Sequence, residues 1–305
     1  MAERHATVLA GFDDVELVAA TDLDPDRSAA FARTRGLPAV PDPDALLALD
    51  LHAVYVCVPP SAHGAAERAA AAAGVAVFVE KPLATDLDTA ERIGAELAGV
   101  LTRVGHHWRC AESVHLARRL LAGRRIRSVA GSWLDKVPPV PWWTDRGRSG
   151  GPLVEQAVHL LDTARVLAGE VDEVHAASAG PVDGGSVDTA TAALLRFTGG
   201  AVGTLATTCV LPGKHRAGLE VVADGVLVAL GEDWLEVRDA DGLDRREFDP
   251  MAAKVAADRA FVDAVRGRPG DPDRSPPDYA DALESHRLAC ALARSAATGA
   301  PERVR

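Results

Sequence analysis

Cysteine, basic charge and long apolar runs are all scarce in this chain, and each scarcity narrows what it can do. The 4 cysteines, Cys57, Cys110, Cys209 and Cys290, stand far apart and form no Cys-x-x-Cys pair. That argues against a zinc knuckle or a disulfide framework and leaves them as reduced, packed hydrophobes, with no metal site expected. Among 305 residues, 33 Lys and Arg face 44 Asp and Glu, and the net charge of −11 repels phosphate backbones and anionic lipid. Neither nucleic acid nor a membrane is an expected partner. No run reaches the roughly 18 to 20 apolar residues that cross a bilayer. The segment Met1 to Asp14 has only a short, interrupted apolar stretch and makes a poor signal peptide. A reducing, cytoplasmic setting is the expectation.

What is present is an ordinary globular balance, 48% hydrophobic and 25% charged, long enough for two domains. The first hundred residues alternate short apolar runs with Ala-rich helical stretches, the pattern of a parallel sheet covered by helices. Strands are predicted at Val15–Ala20, Val54–Val58 and Val75–Val79, each followed at once by polar residues. Between them, a helix from Asp26 should stop at Gly36, Ser61 should cap a helix running to Gly74, and Asp86 should cap the next. Ligands of open α/β sheets bind outside the carboxyl ends of the strands, so Asp22, Ser61, His63, Glu80 and Lys81 converge on one rim. From about residue 106 the texture turns β-rich, with hairpin signals at Thr198-Gly199-Gly200 and Asp224-Gly225. Helices are predicted near 152–168, 252–266 and 278–298.

Turning the helix that follows Pro152 at 100° per residue places Glu155, His159 and Asp162 within an arc of roughly 60°. Leu153, Ala157, Leu160, Leu161, Ala164 and Ala168 fall opposite. A solvated polar face explains that spacing equally well. The abrupt Ser149-Gly150-Gly151-Pro152 turn before it lets backbone approach a ligand closely. Lys81 sits at the end of a five-residue apolar strand, where burial depresses a lysine pKa and the adjacent Glu80 opposes that shift. Asp22 follows the strand that, in a dinucleotide-binding unit, carries the acid for the ribose hydroxyls; with Asp24 beside it, NAD is favoured over NADP.

Taken together, these segments resemble the Gfo/Idh/MocA family of NAD(P)-dependent oxidoreductases over essentially the whole chain. Val54-Tyr-Val-Cys-Val-Pro-Pro-Ser-Ala-His63 matches the family's nucleotide-binding strand and loop, and Glu80-Lys81-Pro82 its Glu-Lys-Pro signature. Gly150, Gly151, Glu155, His159 and Asp162 match the spacing of its active-site helix. The resemblance implies a Rossmann-like α/β domain over residues 1–105. An α+β domain with a mostly antiparallel open sheet follows over 106–305, its C-terminal helix packing back on the first. It implies hydride transfer on a sugar, inositol or related polyol, with Lys81, His159 and Glu155 catalytic. Asp22, Pro59, Ser61, His63, Glu80 and Lys81 would bind NAD, while His107, Trp108, Arg109, Trp142, Trp143 and Asp162 would line the substrate side. Glu155 stands where many members have Asp. An exposed sheet face implies a homo-oligomer.

One departure bears on function. The family opens with a strand and a Gly-x-Gly-x-x-Gly loop, whereas this chain starts at Met1-Ala2-Glu3-Arg4-His5, inside the helix that follows them, so the first domain is expected to be N-terminally incomplete. Losing two backbone hydrogen bonds to a pyrophosphate, at roughly 1.5 to 3 kcal/mol each, weakens binding on the order of a hundredfold to ten-thousandfold. Besides an ordinary oxidoreductase, two alternatives stand: a non-redox sugar-binding or regulatory relative, and an NAD-assisted glycosidase.

Overall fold

The computed structural model describes residues 1–268 and 270–304. Ala53–Val56 (β1), Ala76–Val79 (β2) and Thr102–Val104 (β3) form a parallel sheet in that order, with Val54 opposite Val77 and Val77 opposite Thr102. Their side chains alternate between two buried layers, which is why the strands read as continuous apolar runs. Val56, Val77 and Val79 pack on one side with Ala70, Ala90 and Ile93. Ala76 and Phe78 face the other side, against Phe261.

The helices, in chain order, are Ala2–Leu9 (α1), Pro25–Arg35 (α2), Pro43–Leu47 (α3), Ala65–Ala72 (α4), Leu87–Glu96 (α5) and Glu112–Leu121 (α6). Arg146–Ser149 (α7), Pro152–Glu155 (α8), Val158–Ala168 (α9), Ala252–Val265 (α10) and Tyr279–Thr298 (α11) complete them. Helix α2 ends at Gly36, whose φ of 69° relieves the steric cost of a left-handed turn. Asp86 caps α5, its Oδ1 accepting the Thr89 N–H at 2.8 Å.

Two local expectations fail. Val15–Ala20 is not a strand: only Ala20 makes a single bridge, to Ala39. Among the described residues no strand lies between this segment and β1, so its backbone has no ladder to join. Ser61 does not cap a helix either; it lies exposed in a single 3₁₀ turn, Pro60–Ala62, and Gly64 precedes α4. Glu67 takes the capping role from inside the helix, accepting the Gly64 N–H at 2.7 Å.

The second sheet is built from Ile126–Leu134 (β4), Val171–Ser178 (β5), Ala190–Phe197 (β6), Val202–Thr208 (β7) and Arg216–Ala223 (β8). Val226–Leu230 (β9), Trp234–Asp239 (β10), Gly242–Glu247 (β11) and Glu302–Arg303 (β12) extend it, in the order β11-β10-β9-β8-β4-β7-β6-β5-β12. Only β4 and β7 pair in parallel; the other pairings are antiparallel. The hairpins carry glycine where φ turns positive, 84° at Gly200 and 82° at Gly225. One face buries Val129, Leu195, Leu205 and Leu219 against Leu160 and Leu161 of α9 and Leu288 and Leu292 of α11. The other face leaves Leu194, Val202 and Val222 exposed.

Helix α11 belongs to both cores. Its first residue, Tyr279, donates its N–H to Thr102 Oγ1 at 3.0 Å and its hydroxyl to the Ala90 carbonyl at 3.0 Å. Its later residues are buried under the large sheet. Among the described residues no helix is long and apolar enough to cross a membrane. Asp86→Ala, which deletes the α5 cap, is expected to destabilise the protein by about 1 kcal/mol, read as a lower urea midpoint at unchanged m-value.

Candidate active site

Lys81 leaves the end of β2 and reaches the start of the 152–168 helical region. Its Nζ donates to Glu155 Oε1 at 2.9 Å and to the Glu155 carbonyl at 2.7 Å. The other carboxylate oxygen accepts the indole N–H of Trp143 at 2.8 Å. Burial raises the Glu155 pKa, but the Lys81 charge and these hydrogen bonds outweigh it and hold the carboxyl below its ordinary value. Gly150 and Gly151, at φ 77° and 87°, turn the chain into α8. A Cβ on Gly150 would stand 2.8 Å from a Val154 methyl, so a side chain there is excluded by space as well as by φ.

The predicted single helix is broken. Gln156 and Ala157 both donate their N–H groups to the Pro152 carbonyl, at 3.0 and 2.9 Å. The second of these bonds spans five residues, a locally widened turn of the kind often found at functional sites. It separates α8, which carries Glu155, from α9, which carries His159 and Asp162. Nor is the polar side solvated: His159 and Asp162 are as buried as the leucines beside them.

His159 lies in an aromatic slot. Trp108 and Trp133 stack nearly parallel to its ring at 6.1 Å, and His107 and His106 meet it edge-on at 5.0 and 5.8 Å. Burial, then the nearby Lys81 ammonium and the neighbouring imidazoles, drive its pKa well below the ordinary value, so the ring is neutral at pH 7. Its Nδ1 is buried without a partner among the described residues.

Asp162 lies 3.8 Å from His106 Nδ1, and its hydrogen bonds go elsewhere. Arg109 grips its carboxylate bidentately at 2.6 and 2.8 Å, and Ser285 on α11 donates to it at 2.7 Å. Burial raises the Asp162 pKa, but electrostatic attraction to His106 and Arg109 and the hydrogen bonds from Arg109 and Ser285 bring it down to about 2. Arg109 also pairs with Asp281. These two residues, predicted on the substrate side, are therefore placed as a buried brace between α9 and α11. Trp108 and Trp143 are fully buried, the first stacked on His159 and the second bound to Glu155; Trp142 is half-buried in the cluster around Trp143.

The nucleotide-side residues divide in the same way. Asp22 is exposed, with one oxygen accepting the Asp24 N–H at 2.9 Å. Ser61 is exposed beside a half-buried Pro59. His63 is buried, its Nδ1 2.5 Å from Glu67 and its Nε2 unpartnered. Glu80 points inward: it binds Arg4 at 3.0 Å and His5 at 2.8 Å, while the other nitrogen of His5 lies 2.6 Å from Asp258. Burial lowers the His5 pKa, but the two carboxylates together raise it. Sequence spacing could not reveal this group: Arg4 and His5 meet Glu80 from far away in the chain, and Asp258 joins through His5.

Two family models match in register with this architecture. One, described as an oxidoreductase family with an NAD-binding Rossmann fold, matches residues 1–106, and the other, a GFO/IDH/MocA C-terminal domain, matches residues 117–226. The chain belongs to the Gfo/Idh/MocA family. It is 34% identical over 176 residues to the inositol 2-dehydrogenase of Rhizobium meliloti, covering 54% of this chain and 51% of that protein. It is 28% identical over 305 residues to the 1,5-anhydro-D-fructose reductase of Ensifer adhaerens, covering 93% and 90%. The match thus spans about half the length of some curated relatives and nearly all of others. Among solved structures, GenD2 from gentamicin A biosynthesis in complex with NAD superposes with a TM-score of 0.85 at 26% identity, over 98% of this chain and 92% of that one. A levoglucosan dehydrogenase in complex with NADH and levoglucosan shares the fold, with a TM-score of 0.87 at 22% identity over 100% and 96%.

Within this Gfo/Idh/MocA site, His106 offers a test by pH. Burial, opposed by Asp162 and aided by Arg109, lowers its pKa to about 4. A folded-state pKa below the ordinary 6.5 means that the unfolded chain takes up the proton first. The stabilisation from a neutral His106 is therefore complete above pH 6.5 and is lost as pH falls toward 4, by up to about 3 kcal/mol. His106→Phe should flatten the fall in urea-measured stability between pH 7 and 4 by about that amount relative to wild type.

Proposed function

We propose that this protein transfers a hydride between NAD and a hydroxyl-bearing carbon of a sugar, inositol or related polyol. The observation that carries this reading is the Lys81–Glu155 pair at 2.9 Å beside a buried imidazole held neutral. Groups of that kind suit a reaction in which a hydroxyl loses a proton as its carbon loses hydride. A neutral His159 can accept the proton, and the Lys81 ammonium can stabilise charge on the same oxygen. Glu155 aims Lys81 through two hydrogen bonds. Trp108 and Trp133 wall the imidazole off from bulk water, which strengthens each of these interactions.

The residues present fit a dinucleotide at two of its parts. Asp22 offers an exposed carboxylate for ribose hydroxyls, and the unpartnered, buried Nε2 of His63 lies beside the Pro59–Ser61 turn at the end of β1. Asp22, Pro59, Ser61 and His63 would hold NAD, which when bound supplies the hydride acceptor or donor. The inositol, anhydrofructose and levoglucosan enzymes among the relatives support a polyol or sugar substrate.

Two measurements test this. Titration of the protein with NADH, followed by nicotinamide fluorescence, should saturate; no binding up to millimolar NADH, with a sugar still bound, would leave a non-redox sugar-binding protein. In a screen of sugars and inositols read by NADH absorbance, Lys81→Ala and His159→Ala should each lower kcat by about 10²- to 10⁴-fold. Near-normal turnover in both would remove them from the mechanism.

A further inference from the structure

Lysine is rare in this chain: of 33 Lys and Arg, only Lys81, Lys136, Lys214 and Lys254 are lysines. Three of them gather around His159. Lys81 holds Glu155, Lys214 lies 5.4 Å from the centre of the Trp133 ring that stacks on His159, and Lys254 on α10 binds Glu232. Glu232 follows β9. Its Oε1 is 3.0 Å from His107 Nε2, and it also receives the Lys254 ammonium, which is itself anchored to the Pro250 carbonyl at 2.7 Å. Burial raises the Glu232 pKa, but the His107 hydrogen bond and Lys254 bring it down to about 2, so the group is a carboxylate at neutral pH.

A carboxylate accepts and never donates, so the nitrogen of His107 that faces it must carry the proton. In a neutral ring the other nitrogen is then a lone-pair acceptor. That atom, His107 Nδ1, is buried with no partner among the described residues, on a ring 5.0 Å from His159. A buried acceptor without a donor is costly unless something supplies one. A polyol substrate carries such donors on the carbons next to the reacting one.

We propose that Glu232 and Lys254 are positioning residues: they fix His107 as the Nε2–H tautomer, so that His107 Nδ1 accepts a hydrogen bond from a substrate hydroxyl next to the carbon being oxidised or reduced. The pair thereby selects substrates that carry a hydroxyl there over deoxy analogues. The part of this that concerns the substrate rests on the polyol dehydrogenase reading; the tautomer does not.

The tautomer is read directly from ring-¹⁵N-labelled histidine by two-bond ¹H–¹⁵N correlation, with the His107 signals assigned by their loss in His107→Gln. Wild type should show a protonated Nε2 and a bare Nδ1. Glu232→Gln, whose amide can donate as well as accept, should mix the tautomers, and Lys254→Met should shift the balance the same way. With a polyol substrate, Glu232→Gln should raise KM about tenfold and leave kcat within about twofold. The preference over the matching deoxy analogue should shrink equally. An Nδ1–H ring in the wild-type protein overturns the proposal without any variant. So does an unchanged KM in a Glu232→Gln protein whose melting temperature shows it folded. If no substrate or NADH turnover is found but the tautomer is as stated, the dehydrogenase reading fails while the Glu232–His107 arrangement stands.

Discussion

The contact between Lys81 and Glu155 organises this molecule. It joins the end of β2 to the first turn of α8, and so ties a parallel sheet to a helix that underlies a separate, mostly antiparallel one. Both partners are largely buried, so either one alone would be an uncompensated charge in a poorly hydrated place. Around it the neighbouring groups make sense as consequences. Trp143 satisfies the carboxylate oxygen that Lys81 leaves free, the two glycines admit the turn, and burial together with the ammonium keeps the nearby imidazole from taking a proton.

Much of this was legible in the sequence, because the signals were local. Short β-branched runs followed by polar residues located β1 and β2, and Asp86 and Gly36 marked helix ends through backbone chemistry that does not depend on tertiary context. The resemblance to the family supplied Lys81, Glu155 and His159 as a set, and the structure brings them to one place. What could not be read was either tertiary or a departure from ideal geometry. The widened turn at Pro152–Ala157 changes the angular offset between Glu155 and His159, which a 100° helical wheel assumes to be constant. Asp162 shares the polar spacing of its neighbours, but an arginine from the 107–110 turn and a serine from α11 claim it. Val15–Ala20 has strand composition and no neighbouring strand, and a ladder needs two sides.

Helix α10 shows how remote segments bear on the centre. Lys254 near its start reaches toward His107 through Glu232, and Asp258, one turn later, reaches Glu80 through His5. The spacing of four residues places both side chains on one face of the helix. A single element outside both matched family segments thus bears on both His107 and Glu80, through chemistry that no short motif encodes.

Helix α11 carries a mechanical implication. At 20 residues it is about 30 Å long, and one end is sewn into the small sheet's core while the rest lies beneath the large sheet. The two lobes share a spar, so neither can melt without stripping apolar surface from the other, and heat should dissolve them in one concerted step. Any relative motion of the two lobes is then confined to bending around that spar.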